Sequence, residues 1–132
     1  MIRIIDAQNQ LKLYNNRSFY AVPRYMKHVK KVHGKNMFDI DAFLQEEEDE
    51  NRVKEEASIF VQYIKYEKSI TYTAIAKAVN KTIQHIGRCS QYSLELSITI
   101  FNAYPMYLID FCEFYNIDYG KFVKLIEKCS KT

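Results

Sequence analysis

The sequence predicts a mostly α-helical fold, a helix-turn-helix bundle preceded by a basic arm or small subdomain. The chain of 132 residues has only three Gly and two Pro, which favours helices joined by short turns. Between residues 57 and 89 the apolar side chains recur at helical spacing. Hydrophobic residues make up 48% of the chain and charged residues 27%, so the composition supports a packed core and excludes wholesale disorder.

Charge divides the chain into three stretches. Residues 1–37 carry eight Lys or Arg and one acidic residue, a net charge of +7, whereas residues 38–56 carry two basic and nine acidic residues, a net charge of −7. The remainder has a net charge of +3. We therefore expect an accessory subdomain with an acidic boundary helix at 1–56 and a helix-turn-helix domain at 57–132. Such an acidic run is typical of a solvated helix face or linker, and the alternative is a surface that competes with nucleic acid for a basic one.

The first 40 residues allow several interpretations. The segments "RIID" and "LKLY" flank "AQNQ" and could form a short β-hairpin. Residues 18–44 could then form a helix, a turn at Gly34 and a second helix from Asp39 or Asp41. "NMFDIDAFL" resembles the end of excisionase-like winged domains. Residues 21–34 also align with the later motif at an offset of 53, which suggests a second, degenerate helix-turn-helix, although Pro23 then stands opposite Ala76.

Aromatic and basic residues are interleaved between positions 14 and 31. They can form a basic solvated face, or the aromatic rings can stack on nucleic acid. The aromatic residues are Tyr14, Phe19, Tyr20 and Tyr25, and the basic ones are Arg17, Arg24, Lys27, Lys30 and Lys31.

Three predicted helices follow one another from residue 55. Glu55 and Glu56 suit the first turn of the first helix, since acidic groups there interact favourably with the helix dipole. Thr71 can cap the second helix and Thr82 the third. Asn80 lies between them, and Asn tolerates the left-handed conformation that ends a helix.

The second and third of these helices have a buried and an exposed side. Ile75, Val79, Ile86 and Cys89 fall at positions that join the pair. Ala76 is small where the two helices cross. The third helix then presents polar side chains outward, at Gln84, His85 and Arg88.

The stretch "YTAIAKAVNKTIQHIGRC" resembles the helix-turn-helix of lambda-repressor-like, Cro/Xre-type DNA-binding proteins. The small residue, the turn residue and the later apolar residue of that pattern fall on Ala76, Asn80 and Ile86. Asn80 replaces the usual Gly, and Tyr72 stands where Gln often contacts phosphate. "YLIDFCEFYNIDYGKFVKLI" resembles the closing helices of the family, so that the likeness covers residues 57–128.

The resemblance implies a repressor-type transcriptional regulator that binds double-stranded DNA, in a phage or other mobile element. It places the base-reading side chains at Thr82, Ile83, Gln84 and Arg88. The candidate phosphate contacts are Lys65, Tyr72, Lys77 and Lys81. Because one recognition helix reads only a few base pairs, we expect a homodimer, with Leu94–Ile100 and Phe111–Tyr119 as candidate surfaces.

The segment from Leu94 to Ile100 is ambiguous in itself. Its alternation of apolar and polar residues is typical of a strand, but the same residues also suit an extra helix, which we favour. Tyr104 and Pro105 should end such a helix, because the residue before a proline avoids helical geometry.

The sequence supports other classes of function less well than DNA binding. A protein-binding module, such as an anti-repressor on the same scaffold, is the main alternative, because a net charge of +3 is moderate for a DNA-binding protein. No phosphate loop, paired carboxylates or nucleophile motif indicates an enzyme or a cofactor. His28 and His33 are five residues apart, which does not suit two metal ligands on one helix.

The three cysteines are widely spaced and odd in number, which indicates reduced thiols in a cytoplasm. The uncharged runs are too short and too polar for a membrane span. "MIRIIDAQNQ" has no apolar core before a small-residue cleavage site, so that we expect no signal peptide.

Overall fold

A computed structural model describes residues 1–88 and 91–130. The protein is mostly helical and carries a small three-stranded antiparallel sheet. It divides into two compact units, residues 1–48 and the residues from Asp49 onward. The elements in chain order are β1 (Ile2–Arg3), α1 (Ile4–Gln10), α2 (Ser18–Ala21), α3 (Pro23–Met26), β2 (Val29–Val32), β3 (Lys35–Phe38), α4 (Ile40–Glu67), α5 (Tyr72–Ala78), α6 (Ile83–Arg88), α7 (Leu94–Ala103), a 3₁₀ turn (Pro105–Tyr107), α8 (Leu108–Phe114) and α9 (Tyr119–Ser130).

The first unit packs its sheet against short helices. β3 lies in the middle of the sheet and pairs antiparallel with β1 and β2. The rings of Phe19 and Phe38 meet edge to face with centroids 4.9 Å apart, and Tyr25 stacks on Phe43 at 5.0 Å. This buried aromatic cluster holds β3 against the first turns of α4.

The β-hairpin lies at a different place from the one that the sequence predicts. Residues 4–10 form α1, whereas the hairpin is β2–β3, residues 29–38. His33 and Gly34 have φ angles of 52° and 79°, and a two-residue type I′ turn requires positive φ at both of its central positions. The expected turn at Gly34 is confirmed, but the hairpin at residues 3–14 is wrong.

The interpretation of residues 21–34 as a second helix-turn-helix is also wrong. Val22 has an extended backbone between α2 and α3, as is usual for the residue before a proline. Pro23 then begins α3, where its missing N–H costs nothing. The residues that align with the second helix of the later motif form β2 and the hairpin turn.

Helix α4 is one helix of 28 residues where the sequence predicts two. Asp39 caps it, since its Oδ1 accepts a hydrogen bond from the Ala42 backbone N–H at 3.2 Å. Glu55 and Glu56 therefore lie well inside the helix rather than in its first turn. Neither Gly nor Pro interrupts the acidic stretch, so that nothing stops the helix there.

The second unit is a helical bundle around an aromatic centre. Phe60 of α4 lies 5.1 Å from Phe101 of α7 and 5.1 Å from Phe111 of α8, measured between ring centroids. Phe122 of α9 completes the group at 5.3 Å from Phe101. Four helices thus share one buried cluster, against which α5 and α6 pack.

The ambiguous segment after α6 is a helix. Ser93 caps α7 by accepting a hydrogen bond from the Leu96 backbone N–H at 3.1 Å. The hydroxyls of Ser97 and Thr99 donate to backbone carbonyls four residues earlier, a pattern of helices and not of strands. α7 ends at Ala103, before the Tyr104–Pro105 pair, as expected from the proline rule.

Candidate nucleic-acid interface

The turn between α5 and α6 is closed by two backbone hydrogen bonds. The Lys81 N–H donates to the Ala76 carbonyl at 2.9 Å, and the Asn80 N–H donates to the Lys77 carbonyl at 3.4 Å. Asn80 has a φ of 57°, in the left-handed region. This pairing is a Schellman motif, which satisfies the last carbonyls of α5 and turns the chain sharply into α6.

Both helices of the pair begin at a threonine cap. The Thr71 Oγ1 accepts a hydrogen bond from the Ala74 backbone N–H, and the Thr82 Oγ1 accepts one from the His85 backbone N–H, each at 3.1 Å. Both caps follow the expectation from the sequence. They fix the residue at which each helix begins, and so the direction in which its side chains point.

Four apolar side chains hold the pair against the bundle. Ile75, Ala76 and Val79 of the α5 segment and Ile86 of α6 are all buried. The short side chain of Ala76 suits this close packing. Cys89, which the sequence places in the same apolar group, lies outside the described residues.

The outer side of α6 carries every residue predicted to read bases. Thr82, Ile83, Gln84 and Arg88 are exposed, and 47% of the Ile83 surface is open to solvent. Gln84 and Arg88 are four positions apart and therefore share one face of the helix. Within the part of the chain that the structure describes, neither side chain has a hydrogen-bonding or ionic partner.

Tyr72 links the two helices to α4 in a way that the sequence does not reveal. Its hydroxyl accepts a hydrogen bond from the Gln62 Nε2 at 3.0 Å, and the Lys65 Nζ lies 3.8 Å from its ring centroid. The ring also lies beside α6, where a Cβ at Gly87 would stand 3.3 Å from the Tyr72 Cδ2. The predicted phosphate contacts Lys65 and Tyr72 are thus neighbours, and the cation–π contact holds the ammonium group at the ring.

The other two predicted phosphate contacts, Lys77 and Lys81, are exposed beside the turn. Residues 65–88 contain five Lys or Arg and one acidic residue. One of the five, Lys68, donates to Asp110 at 2.9 Å, and this hydrogen bond raises the pKa of the ammonium group. Four positive charges near the α5–α6 pair therefore remain without an acidic partner among the described residues.

Exposed His85 completes the polar side of α6 and is absent from the predicted base-reading set. The sequence offered a signal for including it, because His85 lies between Gln84 and Ile86 in a stretch where three of the four residues from 82 to 85 are polar.

The aromatic residues of the first unit that could stack on nucleic acid differ in their exposure. Phe19 is buried and Tyr25 half-buried in the core, whereas Tyr14 and Tyr20 are exposed.

The two predicted dimer surfaces differ in their accessibility. Leu96 and Ile100 of α7 are buried, so that the apolar side of this helix serves the core rather than a partner. In the segment Phe111–Tyr119, by contrast, Phe114, Tyr115 and Tyr119 expose 59%, 44% and 41% of their surfaces, and Ile109, just before this segment, exposes 48%. This second segment offers the larger free apolar area.

Among the residues that the structure describes, neither histidine of the basic segment has a metal-binding neighbourhood. The His28 Nε2 lies 3.0 Å from a carboxylate oxygen of Glu46, and His33 lies in the hairpin turn. Within residues 1–88 and 91–130, no three His, Cys, Asp or Glu side chains are grouped to hold a metal ion.

In the same residues, no helix is both long and apolar enough to cross a membrane. In comparisons with known protein families, curated proteins and solved structures, none matches this chain.

Proposed function

We propose that the protein is a sequence-specific, DNA-binding transcriptional regulator of the repressor type. In this proposal the second unit has a lambda-repressor-like fold, α5 and α6 are its helix-turn-helix, and α6 enters the major groove. The observation that carries the proposal is the exposed pair Gln84 and Arg88 on a helix that Ile86 and the Thr82 cap hold in place. A rigid helix with free polar side chains is what groove reading requires.

The proposed base contacts follow from side-chain chemistry. Gln84 can pair with adenine through two hydrogen bonds, and Arg88 can do so with guanine. Ile83 can contact a thymine methyl group, and the Thr82 side chain can reach a neighbouring base edge. The resulting operator would contain both A·T and G·C pairs in each half-site.

The proposed phosphate contacts surround these residues. Lys77 and Lys81 are exposed cations beside the turn, and Lys65 sits on the Tyr72 ring at the start of α5. Such contacts position a protein on the duplex without selecting a sequence. Occupation of an operator would block RNA polymerase without any chemical step.

Assembly and setting belong to the same proposal. Two copies would place two α6 helices on half-sites about one helical turn apart, with α8 as the dimer surface. The resemblance to lambda-repressor-like proteins suggests a phage or mobile-element regulator in the cytoplasm. A protein-binding module such as an anti-repressor is the second candidate, because the exposed apolar side chains of Ile109 and Phe114 could instead receive a protein partner.

The deciding experiment selects bound duplexes from a random DNA pool, with the parent protein and with Gln84→Ala and Arg88→Ala. We expect an enriched sequence for the parent, and for each variant a loss of about 1–3 kcal/mol confined to one base pair of each half-site. Lys81→Ala is the matched control and should weaken all sequences alike. If all three variants bind every duplex as the parent does, α6 is not the reader and the protein-binding candidate takes its place.

A further inference from the structure

The basic residues of the first unit fall into two groups that the sequence does not distinguish. Arg24 forms an ion pair with Glu47 at 2.8 Å, and Lys27 forms one with Glu46 at 2.6 Å. Two carboxylates of α4 thus balance the positive charges of Arg24 in α3 and of Lys27, which follows α3. Arg3 is likewise paired, with Asp6 at 2.9 Å.

The remaining cations of the first unit have no acidic partner among the residues that the structure describes, and all five are exposed. They are Lys12, Arg17, Lys30, Lys31 and Lys35. Lys30, Lys31 and Lys35 belong to the β2–β3 hairpin, in which no residue is acidic. Positive charge in this unit therefore concentrates on the hairpin.

The strand register distributes these lysines over both faces of the hairpin. Lys30 stands opposite Met37, and Lys35 stands opposite Val32, so that Lys30 and Lys35 share one face. Lys31 stands opposite Asn36 and lies on the other face. Like charges close together on one sheet face repel each other, and here no carboxylate in the hairpin offsets that cost.

The hairpin is held firmly at its base and turn. Phe38 at the end of β3 is fully buried, and the Asp39 backbone N–H donates to the His28 carbonyl at 2.9 Å, which closes the base. The two-residue turn at His33 and Gly34 fixes the register of the two strands. Since β1 pairs with β3 only at Met37 and Phe38, the rest of the hairpin is a preorganised two-stranded ribbon that carries the lysines.

We propose that the β2–β3 hairpin is a second DNA-contacting surface, which binds the phosphates of double-stranded DNA separately from α6. The major groove of B-DNA admits a two-stranded ribbon. A ribbon with lysines on both faces can meet the phosphates of both groove walls. The surface would raise affinity for all sequences, because phosphate contacts do not distinguish bases. The inference shares its ligand with the proposed function but does not depend on base reading by α6.

The test uses the full chain in four forms: the parent, K30Q/K31Q/K35Q, Q84A/R88A and the combination of both. Each form is titrated at several salt concentrations against two labelled duplexes, one of random sequence and one that the parent protein enriches from a random pool. We expect the hairpin variant to bind about tenfold or more weakly at 0.1 M salt and to lose about 0.9 from the salt slope for each phosphate contact removed. The matched control is K54Q/K121Q/K124Q, which removes the same charge outside the hairpin and should bind more tightly than the hairpin variant.

One additional variant and one additional ligand make the outcome decisive. K30R/K31R/K35R keeps the charge and should bind as the parent does. K30Q/K31Q/K35Q should lose affinity at a melting temperature no lower than that of the parent, because it removes the repulsion between the lysines. A parent-like salt slope in the Gln variant, or an equal loss in the control, would overturn the proposal. Tighter hairpin-dependent binding to a duplex RNA of the same sequence would overturn the choice of DNA, because the major groove of RNA is too narrow for the ribbon.

The four forms also separate this inference from the proposed function. If Q84A/R88A behaves as the parent on selected DNA while the hairpin variant loses affinity, the α6 proposal fails and the hairpin proposal stands. If only Q84A/R88A loses sequence preference and the hairpin variant binds as the parent does, the reverse holds.

Discussion

The ring of Tyr72 lies so close to Gly87 that a Cβ at Gly87 would stand 3.3 Å from the Tyr72 Cδ2. This contact joins the first residue of α5 to α6, and the same ring supports Lys65. A side chain at residue 87 would therefore require the Tyr72 ring to move by a few tenths of an ångström.

A double-mutant cycle measures this relationship. Gly→Ala in a helix usually gains up to about 1 kcal/mol, and we expect that gain for Gly87→Ala when Tyr72→Ala has removed the ring. With the ring present the gain should shrink or reverse, a coupling of about 0.5–1 kcal/mol in urea unfolding of the four proteins. Effects that add within about 0.3 kcal/mol would show that the ring and Gly87 do not constrain each other.

The buried and exposed sides of the α5–α6 pair should respond differently to substitution. Ala76→Leu adds bulk to a buried site and should destabilise the second unit by about 1–3 kcal/mol. Gln84→Ala changes an exposed side chain and should stay within about 0.5 kcal/mol of the parent. Thermal melting of both variants checks this, and an early transition for Gln84→Ala would mean that the two sides are misassigned.

Asn80 should be needed for its backbone conformation rather than for its side chain. At a φ of 57°, Asn80→Ala should cost about 1 kcal/mol of unfolding free energy, whereas Asn80→Gly should be tolerated. Asn116 has a φ of 56° and should behave in the same way. Asn51→Ala, on the exposed side of α4, is the matched control and should be neutral or slightly stabilising in urea unfolding.

Glu46 should make the protein sensitive to acid. Burial raises the pKa of its carboxyl group, but hydrogen bonds from Lys27 and His28 outweigh this effect and hold the pKa below the ordinary value of 4.5. Because the folded-state pKa is lowered, the stabilisation is complete above pH 4.5 and is lost as the pH falls through the folded-state value.

Glu46→Gln should therefore be less stable than the parent near pH 7, and the difference should shrink below pH 4.5. Urea unfolding at pH 7, 4 and 3 measures it. Glu48→Gln, an exposed neighbour on α4, serves as the control and should follow the parent at each pH. A constant difference between Glu46→Gln and the parent at all three pH values would contradict the linkage.

The proposed dimer should depend on α8. Ile109→Ser and Phe114→Ser together should shift the protein toward the monomer in sedimentation velocity, because they remove exposed apolar area. Tyr66→Ser, at a residue that is 70% exposed on α4, should leave the association unchanged. A parent that sediments as a monomer both free and on DNA would exclude the dimer.

Short-range chemistry made parts of the second unit readable from the sequence. The caps at Thr71 and Thr82 and the left-handed Asn80 each depend on residues no more than four or five positions away. The stop of α7 before Pro105 is local for the same reason. A capping hydrogen bond or a restricted φ angle acts in whatever tertiary context the segment meets.

Contacts between distant residues decided what the sequence left open. Pairing of β3 with both β1 and β2 placed the hairpin at residues 29–38, and the packing of Phe38 on Phe43 buries the end of β3 in the core of the first unit. The proximity of Tyr72 to Gly87 likewise depends on how two helices pack.

The charges of the first unit likewise depend partly on the sequence alone and partly on the tertiary structure. The sequence by itself determined that residues 1–37 are basic and that an acidic stretch follows. Only the tertiary structure decided that Glu46 and Glu47 pair with Lys27 and Arg24, about 20 positions away, and leave the hairpin lysines open. Composition fixes how many charges a segment carries, but an ion pair forms only where folding brings the two groups within a few ångströms of each other.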